Sequence, residues 1–314
     1  MSFEAVPPNE LFEASERAGG SPSGRIIPLG CLENRVFWLP SDGAQDHIVK
    51  VYRPDRWSEA QLDVEHDFVC ELDDQNIAVA APLDLGDGFT IGRLEDRAKP
   101  MFYAVYPRLT GRMRDELSLE QCEQLGEILN EVHSIASGLE LRTSRLPKDN
   151  VPDLESWLET TPSLPAYFKE RALRWVARIR SARFDDEAQL IHGDCHMGNI
   201  MWEGDDPFLI DFDDCGVGWV GQDLWLVAPG DDDYHREQRR VLLSGYGGGV
   251  QFHELEERLV LLRALRMLNY ARWIAQRHPD PAFVHAYPSY GKPVFFTDEC
   301  RALDELEGLL FSTE

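Results

Sequence analysis

The chain has 314 residues, of which 43% are hydrophobic and 28% charged, so it is long and apolar enough to bury a core as one globular unit or two lobes. Its 56 acidic residues outnumber its 31 basic residues, and the net charge of −25 argues against nucleic-acid binding, which needs clustered lysine and arginine. The first twenty residues are acidic and no run of about 18 apolar residues occurs, so we expect a cytoplasmic protein without a secretory signal or membrane partner.

The first third of the chain has the pattern of a mostly antiparallel sheet with one helix against it. Segments rich in β-branched and aromatic residues predict strands at RVFWL (35–39) and HIVKVYR (47–53). WSEAQLDVEHDFVCELDDQ (57–75) predicts a helix, because Ser58 can cap it and apolar residues recur at helical spacing. Strand character returns in three later segments, IAVAAPL (77–83), GFTIGRL (88–94) and MFYAVYPRL (101–109).

The hydrophobic period becomes helical after Arg108, and we place a boundary between two lobes at residues 107–111. SLEQCEQLGEILNEVHSIAS (118–137) predicts a helix that begins with a capping box. The rest is predicted to be mainly helical around one small β insertion. The other predicted elements are helices in ESWLE (155–159), PAYFKERALRWVARIRSAR (165–183) and ELEERLVLLRALRMLNYARWIAQR (254–277), and a short strand in FLIDF (208–212).

LIHGDCHMGNIMW (190–202) concentrates polar, potentially reactive residues between two apolar ends. A zinc site through His192, Asp194, Cys195 and His196 is disfavoured, because the ligands are too close together and no second ligand pair or C-x-x-C motif is present. A nucleophilic cysteine is also disfavoured, because Cys195 has no recognisable flanking signature and its base would have to come from elsewhere.

Phosphoryl transfer explains more of these residues. Asp194 and Asn199 have the D-x-x-x-x-N spacing of a kinase catalytic loop. A hairpin of NIMW, EGDDP and FLIDF would then return Asp211 to face Asn199 across one Mg²⁺, which prefers oxygen ligands. An aspartate and an asparagine that merely cap turns would also give the spacing, but the returning IDFDD favours the catalytic interpretation.

These motifs resemble those of the aminoglycoside phosphotransferase and choline kinase superfamily, which has a two-lobed protein-kinase-like fold. HGDCHMGN (192–199), LIDFDD (209–214) and GQDLW (221–225) carry the resemblance. Two departures are Cys31, where a small polar residue is common, and Met197, where the residue is usually small; neither removes a catalytic group. Blocks similar to the bacterial stress response kinase A group cover nearly the whole chain, namely LENRVF, VKVYRPDRW, EHDF, AAPL, FYAVYP and RALRMLNY.

The resemblance implies an ATP- and Mg²⁺-dependent kinase. Asp194 would accept or orient the acceptor proton, while Asn199 and Asp211 would hold Mg²⁺, with Asp211 also counted as catalytic. Asp223 in GQDLW would brace the loop from a helix start. His192 would orient the loop, and the role of His196 stays open.

Lys50 stands out in a chain with only five lysines, because it lies within the apolar IVKVYR. A buried, unpaired ammonium would be costly. The resemblance implies that contact with the α- and β-phosphates and with a helix carboxylate offsets this cost. We choose Glu65 as that carboxylate, with Glu59 and Asp63 as alternatives. A different interpretation is that Lys50 lies on an edge strand and prevents aggregation.

Two further segments are expected to hold the nucleotide. PLGCLENRVF (28–37) would cover the phosphates, with Cys31 and Asn34 in the backbone cradle. It has one glycine instead of G-x-G-x-x-G, and the chain has no P-loop motif. FYAVYPRLTG would link the lobes, with backbone groups from Tyr106 to Arg108 against the adenine edge.

We therefore predict an α+β, two-lobed kinase-like fold, with an ATP-binding lobe at 1–107 and a catalytic and substrate lobe at 108–314. The resemblance implies a serine/threonine protein kinase, and we expect a monomer. The alternatives are a kinase for a small cationic or sugar acceptor (an aminoglycoside, choline, homoserine or a sugar) and a pseudokinase scaffold, against which the intact motif residues argue. Asp213 and Asp214 are either groups that face a cationic acceptor or solvated turn residues.

Overall fold

A five-stranded antiparallel sheet is built from the first third of the chain, in the order β1-β2-β3-β5-β4. The computed structural model describes residues 5–43, 45–86, 88–95, 97–139, 145–182 and 188–312. The five strands are β1 (Ile27–Leu29), β2 (Arg35–Leu39), β3 (His47–Val51), β4 (Gly92–Leu94) and β5 (Met101–Pro107). The predicted strand at 35–39 is therefore confirmed, and the strands predicted at 47–53 and 101–109 form but end two residues earlier than predicted. All three form where β-branched and aromatic residues cluster.

Lys50 lies on the central strand of this sheet, so the edge-strand interpretation is wrong. It faces Val36 on β2 and Ala104 on β5, so its strand is paired on both sides. Its side chain is only 8% exposed. An ammonium group at such a position requires anionic partners nearby, because burial without them would be costly.

Two helices flank the sheet, and the sequence predicts only the second. Helix α1 (Pro8–Arg17) packs on the sheet through an apolar face. Helix α2 (Glu59–Asp74) begins after Ser58, the predicted cap, which forms a capping box with Gln61. One face of α2 contacts the sheet, while Phe68 packs edge-on against Phe212 with ring centroids 5.6 Å apart. Helix α2 thus connects the sheet to the loops of the helical lobe.

Two other predicted strands depart further from their predicted bounds, because 77–83 forms no strand and most of 88–94 lies outside the sheet. Residues 77–83 form no strand, and Val79 makes only an isolated parallel bridge with Leu209. Pro82 lacks an N–H group, so this segment cannot continue a ladder in the middle of a sheet. Within 88–94, only the last three residues join the sheet as β4.

The rest of the chain is mainly helical. Its helices are α3 (Leu119–Ser137), α4 (Val151–Thr160), α5 (Ala166–Ser181), α6 (Gly221–Val227), α7 (Asp233–Tyr246), α8 (Phe252–Arg277), α9 (Pro281–Ala286) and α10 (Pro293–Ser312). The helices predicted at 118–137, 155–159, 165–183 and 254–277 are confirmed, except that residue 183 lies outside the described residues. The sequence analysis does not predict α7, α9 or α10, whereas α6 begins in GQDLW, where the resemblance implied a helix start. Among the described residues, no helix combines the length and apolar character needed to cross a membrane.

Two small antiparallel sheets interrupt the helices. Strand β6 (Ala188–Ile191) pairs with β9 (Gly216–Trp219), and β7 (Ile200–Glu203) pairs with β8 (Asp206–Leu209). The second pair is the predicted hairpin, whereas the first, which joins segments distant in sequence, has no local signal. Together these strands fix both ends of two loops.

Candidate active site

The two loops lie side by side, and we name them the HGD loop (residues 192–199, between β6 and β7) and the IDFDD loop (residues 210–214, between β8 and β9). The Ile210 N–H donates to the Asn199 carbonyl at 3.0 Å. The His192 Nε2 atom lies 3.0 Å from the Ile210 carbonyl oxygen. Hydrogen bonds at both ends of the HGD loop therefore set its position relative to the IDFDD loop.

Asp223, at the start of α6, braces the HGD loop as the resemblance implied. Its two carboxylate oxygens accept hydrogen bonds from the His192 and Gly193 N–H groups, each at 2.8 Å. His133 of α3 lies 3.0 Å from the same carboxylate, which is completely buried. Gly193 has a φ of 82° and lies against the Asp214 carbonyl, so a side chain there would collide with the IDFDD loop.

Asp211 adopts a left-handed conformation with φ 62° and ψ 60°, which is uncommon for a residue with a side chain. This conformation starts the IDFDD loop at the end of β8. The Asp211 carboxylate is 46% exposed, and its Oδ1 atom accepts a hydrogen bond from Lys50 Nζ at 2.8 Å. The structure therefore brings together the sheet lysine and the loop aspartate.

Glu65 lies behind this pair. Its Oε1 atom is 3.8 Å from Lys50 Nζ, and Asp213 Oδ1 is 3.5 Å from the same nitrogen. The alternatives Glu59 and Asp63 are exposed on the other side of α2. Burial lowers the pKa of Lys50, but these surrounding carboxylates outweigh it and hold the pKa well above its ordinary value, so the ammonium stays charged.

Arg145 is a buried residue of this site that sequence reasoning missed. Its guanidinium donates to Glu65 Oε2 at 3.1 Å, to the Gln61 carbonyl at 2.6 Å and to the Asp213 carbonyl at 2.6 Å. One side chain thus joins α2 to the IDFDD loop. It lies in a segment without a motif, and no sequence signal separates it from the many surface arginines.

Asp194 is held between two cations and a histidine. Arg266 Nη2 of α8 lies 2.8 Å from its Oδ1 atom, while Lys148 Nζ and His196 Nε2 each lie 3.6 Å from Oδ2. Burial raises the pKa of Asp194, but Lys148 and Arg266 outweigh it and bring the pKa well below its ordinary value. The Asn199 amide donates to the Asp194 carbonyl at 2.9 Å, which orients its side-chain oxygen away from that bond.

Asp213 and Asp214 are buried, so the solvated-turn interpretation is wrong. Both pair with the Arg56 guanidinium, which comes from the segment before α2. They therefore face a cation of this chain itself. Burial raises the pKa of Asp213, but Arg56 and Lys50 bring it below its ordinary value, whereas burial raises the pKa of Asp214 to about 6.

The segment 28–37 approaches the IDFDD loop through Asn34. Its side-chain amide donates to Asp213 Oδ2 at 2.9 Å, and its Oδ1 accepts from the Arg53 N–H at 3.1 Å. Cys31 is exposed, and its sulfur accepts from the Asn34 N–H at 3.4 Å. Asn34 therefore joins the segment 28–37 to the IDFDD loop, and Cys31 lies beside Asn34.

Tyr106 and Arg108 lie at the end of β5. The Tyr106 hydroxyl contacts the Tyr52 hydroxyl at 3.0 Å, inside the protein. The Arg108 N–H donates to the Asp46 carbonyl at 2.8 Å, and its carbonyl accepts from Gln45 at 2.9 Å. The N–H and carbonyl groups of Arg108 are thus bonded within the protein, and its guanidinium lies 4.1 Å from the centroid of the Trp38 ring.

The oxygen groups of Asp211 and Asn199 have the hard-ligand chemistry that Mg²⁺ prefers. Asp211 offers a half-exposed carboxylate, and the amide nitrogen of Asn199 is turned toward the Asp194 carbonyl. Within the described ranges, no three His, Cys, Asp or Glu residues cluster in a way that holds a metal by themselves. Two protein ligands nevertheless fit Mg²⁺, which usually takes its remaining ligands from water and phosphate.

The family model described as "Phosphotransferase enzyme family" matches residues 24–260. The serine/threonine protein kinase RdoA of Salmonella typhimurium LT2 is 30% identical over 303 residues, which cover 92% of this chain and 88% of that protein. Stress response kinase A of Escherichia coli K12 is 29% identical over 298 residues, with the same coverage of both chains.

Solved structures with the same fold include two small-molecule kinases. The amicoumacin kinase hAmiN, in complex with AMP-PNP, Ca²⁺ and Ami, has a TM-score of 0.76 at 18% identity, covering 95% of this chain and 93% of that chain. A microcompartment-associated aminopropanol kinase has a TM-score of 0.71 at 19% identity, covering 95% and 98%. At these identities the likeness concerns the fold.

The predicted α+β kinase-like fold and the predicted superfamily are therefore confirmed. The family match spans the sheet, the HGD loop and the IDFDD loop, so it includes every residue described above as part of the cleft except the C-terminal part of α8. The chain belongs to the phosphotransferase enzyme family and is a homologue of stress response kinase A.

Proposed function

We propose that this phosphotransferase uses ATP and Mg²⁺ to phosphorylate serine or threonine hydroxyls of a protein. The observation that carries the proposal is the 2.8 Å contact between Lys50 Nζ and Asp211 Oδ1, with Glu65 at 3.8 Å on the other side of the lysine. A buried lysine between a helix glutamate and a loop aspartate is the arrangement with which protein kinases transfer the phosphoryl group of ATP.

In this proposal each lobe has one task. Residues 1–107 form the nucleotide lobe, in which Lys50 binds the α- and β-phosphates, Cys31 and Asn34 cover them, and Tyr106 to Arg108 lie beside the adenine. Residues 108–314 form the catalytic and substrate lobe. We place the enzyme in the cytoplasm as a monomer.

Asn199 and Asp211 would hold Mg²⁺, which supplies neutralising charge next to the phosphates. Asp194 then orients the acceptor hydroxyl toward the γ-phosphorus. Because neighbouring cations lower its pKa, Asp194 is a weak base, and its main task is positioning until the proton is released late in the reaction. Early positioning and late proton release suit a loose transition state, in which little proton transfer is needed before the phosphoryl group moves.

The specific support for a protein acceptor is the relatives at about 30% identity, which are named as a serine/threonine protein kinase and as stress response kinases. Small-molecule phosphorylation is the alternative, since the solved neighbours named above are small-molecule kinases. Because these structures are only 18% and 19% identical to this chain, they support the fold more strongly than they support a particular acceptor.

The test is incubation of the purified protein with γ-labelled ATP and Mg²⁺, beside an Asp194→Ala variant. One arm contains a basic protein acceptor, and the other contains aminoglycosides and amino alcohols. We expect label on serine or threonine of the protein, and no label with the variant. Label on a small molecule alone would refute the protein-kinase proposal, and no ATP turnover in either arm would favour a pseudokinase scaffold.

A further inference from the structure

Lys148 is a cation of the cleft that no motif includes. It lies in the segment before α4, and its backbone is firmly held. Its carbonyl accepts from Arg272 Nη2 of α8 at 3.1 Å, and the neighbouring Asp149 carboxylate pairs with Arg266 at 3.0 Å. The Asp149 carbonyl also accepts from Gln222 of α6 at 2.7 Å. A side chain on such a support has a defined direction.

The Lys148 ammonium lies against the HGD loop. Its Nζ atom is 3.6 Å from Asp194 Oδ2 and 5.5 Å from the centroid of the Trp273 ring. The side chain is 16% exposed and lines a cavity of about 410 Å³, together with Arg56 and Asp214. Lys148 therefore lies between this cavity, which Asp214 of the IDFDD loop also lines, and the Asp194 carboxylate of the HGD loop.

Asp194 does not require Lys148 as its only counter-charge, because Arg266 already lies 2.8 Å from its other oxygen. The separation of 3.6 Å between Lys148 and Asp194 is also longer than an ordinary hydrogen bond. Among the described residues, no hydrogen bond of ordinary length to the Lys148 ammonium is found, so its donors are available to another oxygen group. Opposing carboxylates keep the pKa of Lys148 raised although burial lowers it.

We propose that Lys148 is a catalytic residue that donates hydrogen bonds to the oxygens of the γ-phosphoryl group while it moves from ATP to the acceptor. This inference rests on the proposed function. In the step, the bond from the γ-phosphorus to the β–γ bridging oxygen breaks, and its electron pair stays on ADP. The acceptor oxygen forms the new bond to phosphorus, and its proton goes to Asp194 and then to water. Lys148 keeps its own protons and stabilises the negative charge.

The first experiment compares Lys148→Met and Lys148→Arg with the wild type. Lys292→Met is the matched control, because Lys292 is exposed in the turn before α10. ADP release is measured with saturating ATP and the basic protein acceptor, and also with water as the only acceptor. We expect Lys148→Met to lower kcat by about 100-fold, with the affinity for AMP-PNP changed by less than about threefold. Lys148→Arg should recover about tenfold, and Lys292→Met should behave as wild type.

A purely structural role of Lys148 would give a different pH–rate profile. If Lys148 only lowers the pKa of Asp194, then Lys148→Met moves the acid limb of the pH–rate profile upward and leaves the plateau of kcat unchanged. That result would overturn the inference, and so would an equal loss of AMP-PNP affinity and kcat. We expect instead that the plateau falls at every pH.

A second measurement does not depend on turnover. ADP with Mg²⁺ and aluminium fluoride imitates the transferring group, so calorimetry should find its binding weaker in Lys148→Met by about the factor lost in kcat. Equal binding by both proteins would overturn the inference even if no acceptor were known. A wild type that binds no ADP would instead refute the proposed function, and the inference with it.

Discussion

Replacing Arg145 by methionine tests the connection between α2 and the IDFDD loop. Methionine has a similar length but no charge or donor, so the three contacts to Glu65, the Gln61 carbonyl and the Asp213 carbonyl all disappear. Glu65 is 2% exposed and would keep Lys50, at 3.8 Å, as its cation. The buried Asp213 carbonyl and the partly buried Gln61 carbonyl would lose these charged donors. Removing one partner of a buried charge cluster costs about 3–5 kcal/mol, and we expect a loss of free energy of unfolding in that range.

Urea unfolding followed by tryptophan fluorescence measures this loss. Arg301→Met serves as the control, because Arg301 is 66% exposed and pairs with Asp298 at 3.1 Å on the surface. Its effect should stay below about 1 kcal/mol. In a thermal scan, Arg145→Met should unfold at a temperature lower by about 10 °C. A loss below about 1 kcal/mol would refute the reasoning, since it would mean that water or another side chain replaces all three contacts.

Three further predictions concern single side chains near the cleft. Asp211→Asn should lower phosphoryl transfer by about 1,000-fold without reducing the urea midpoint, because the lost charge is half-exposed and Lys50 keeps Glu65 and Asp213 as anionic partners. Asp214 has its pKa raised by burial to about 6 from 3.8, so the folded state binds its proton more tightly than the unfolded chain does. Unfolding measured between about pH 4 and about pH 7 should therefore show the wild type losing stability relative to Asp214→Asn as the pH rises. Thiol labelling followed by mass spectrometry should modify exposed Cys31 first, whereas Cys195 should react only on unfolding, because it is buried and its thiol pKa is raised by that burial.

Local patterns were sufficient for the elements that have their own signals. The capping boxes at Ser58 and Ser118, the hairpin that returns Asp211, and the long helix α8 follow from spacing within one segment. Residues 77–83 did not follow their pattern, because Pro82 and the position of the segment between the lobes compete with strand propensity.

The residues of the candidate site also fall into those that a local pattern predicts and those that only the packing brings together. Lys50, Asp194, Asn199 and Asp211 lie in motifs, so the spacing of residues along the chain is enough to point to them. The cations that surround Asp194 come from elsewhere in the chain, since Lys148 and Arg266 are more than forty residues away from it on either side. Contacts of that kind depend on how α4 and α8 pack, which no local pattern encodes.

The packing also changes what the net charge implies about the acceptor. A charge of −25 suggests attraction of a basic substrate, and at long range it does favour one. At Asp194, however, an approaching group meets Lys148 Nζ at 3.6 Å and Arg266 Nη2 at 2.8 Å from the carboxylate. An ammonium group that approaches beside the reacting hydroxyl, as in an amino alcohol, would be repelled by both cations at short range, where screening is weak, and Asp194 and Asp149 offset part of that repulsion. A neutral serine or threonine hydroxyl meets no such repulsion, so we expect a protein acceptor to be phosphorylated faster when its basic residues lie away from the phosphorylated position. Acceptor peptides that differ only in the distance between an arginine and the serine would measure this: transfer should increase as the arginine moves away from the serine, and equal rates at every spacing would refute the argument.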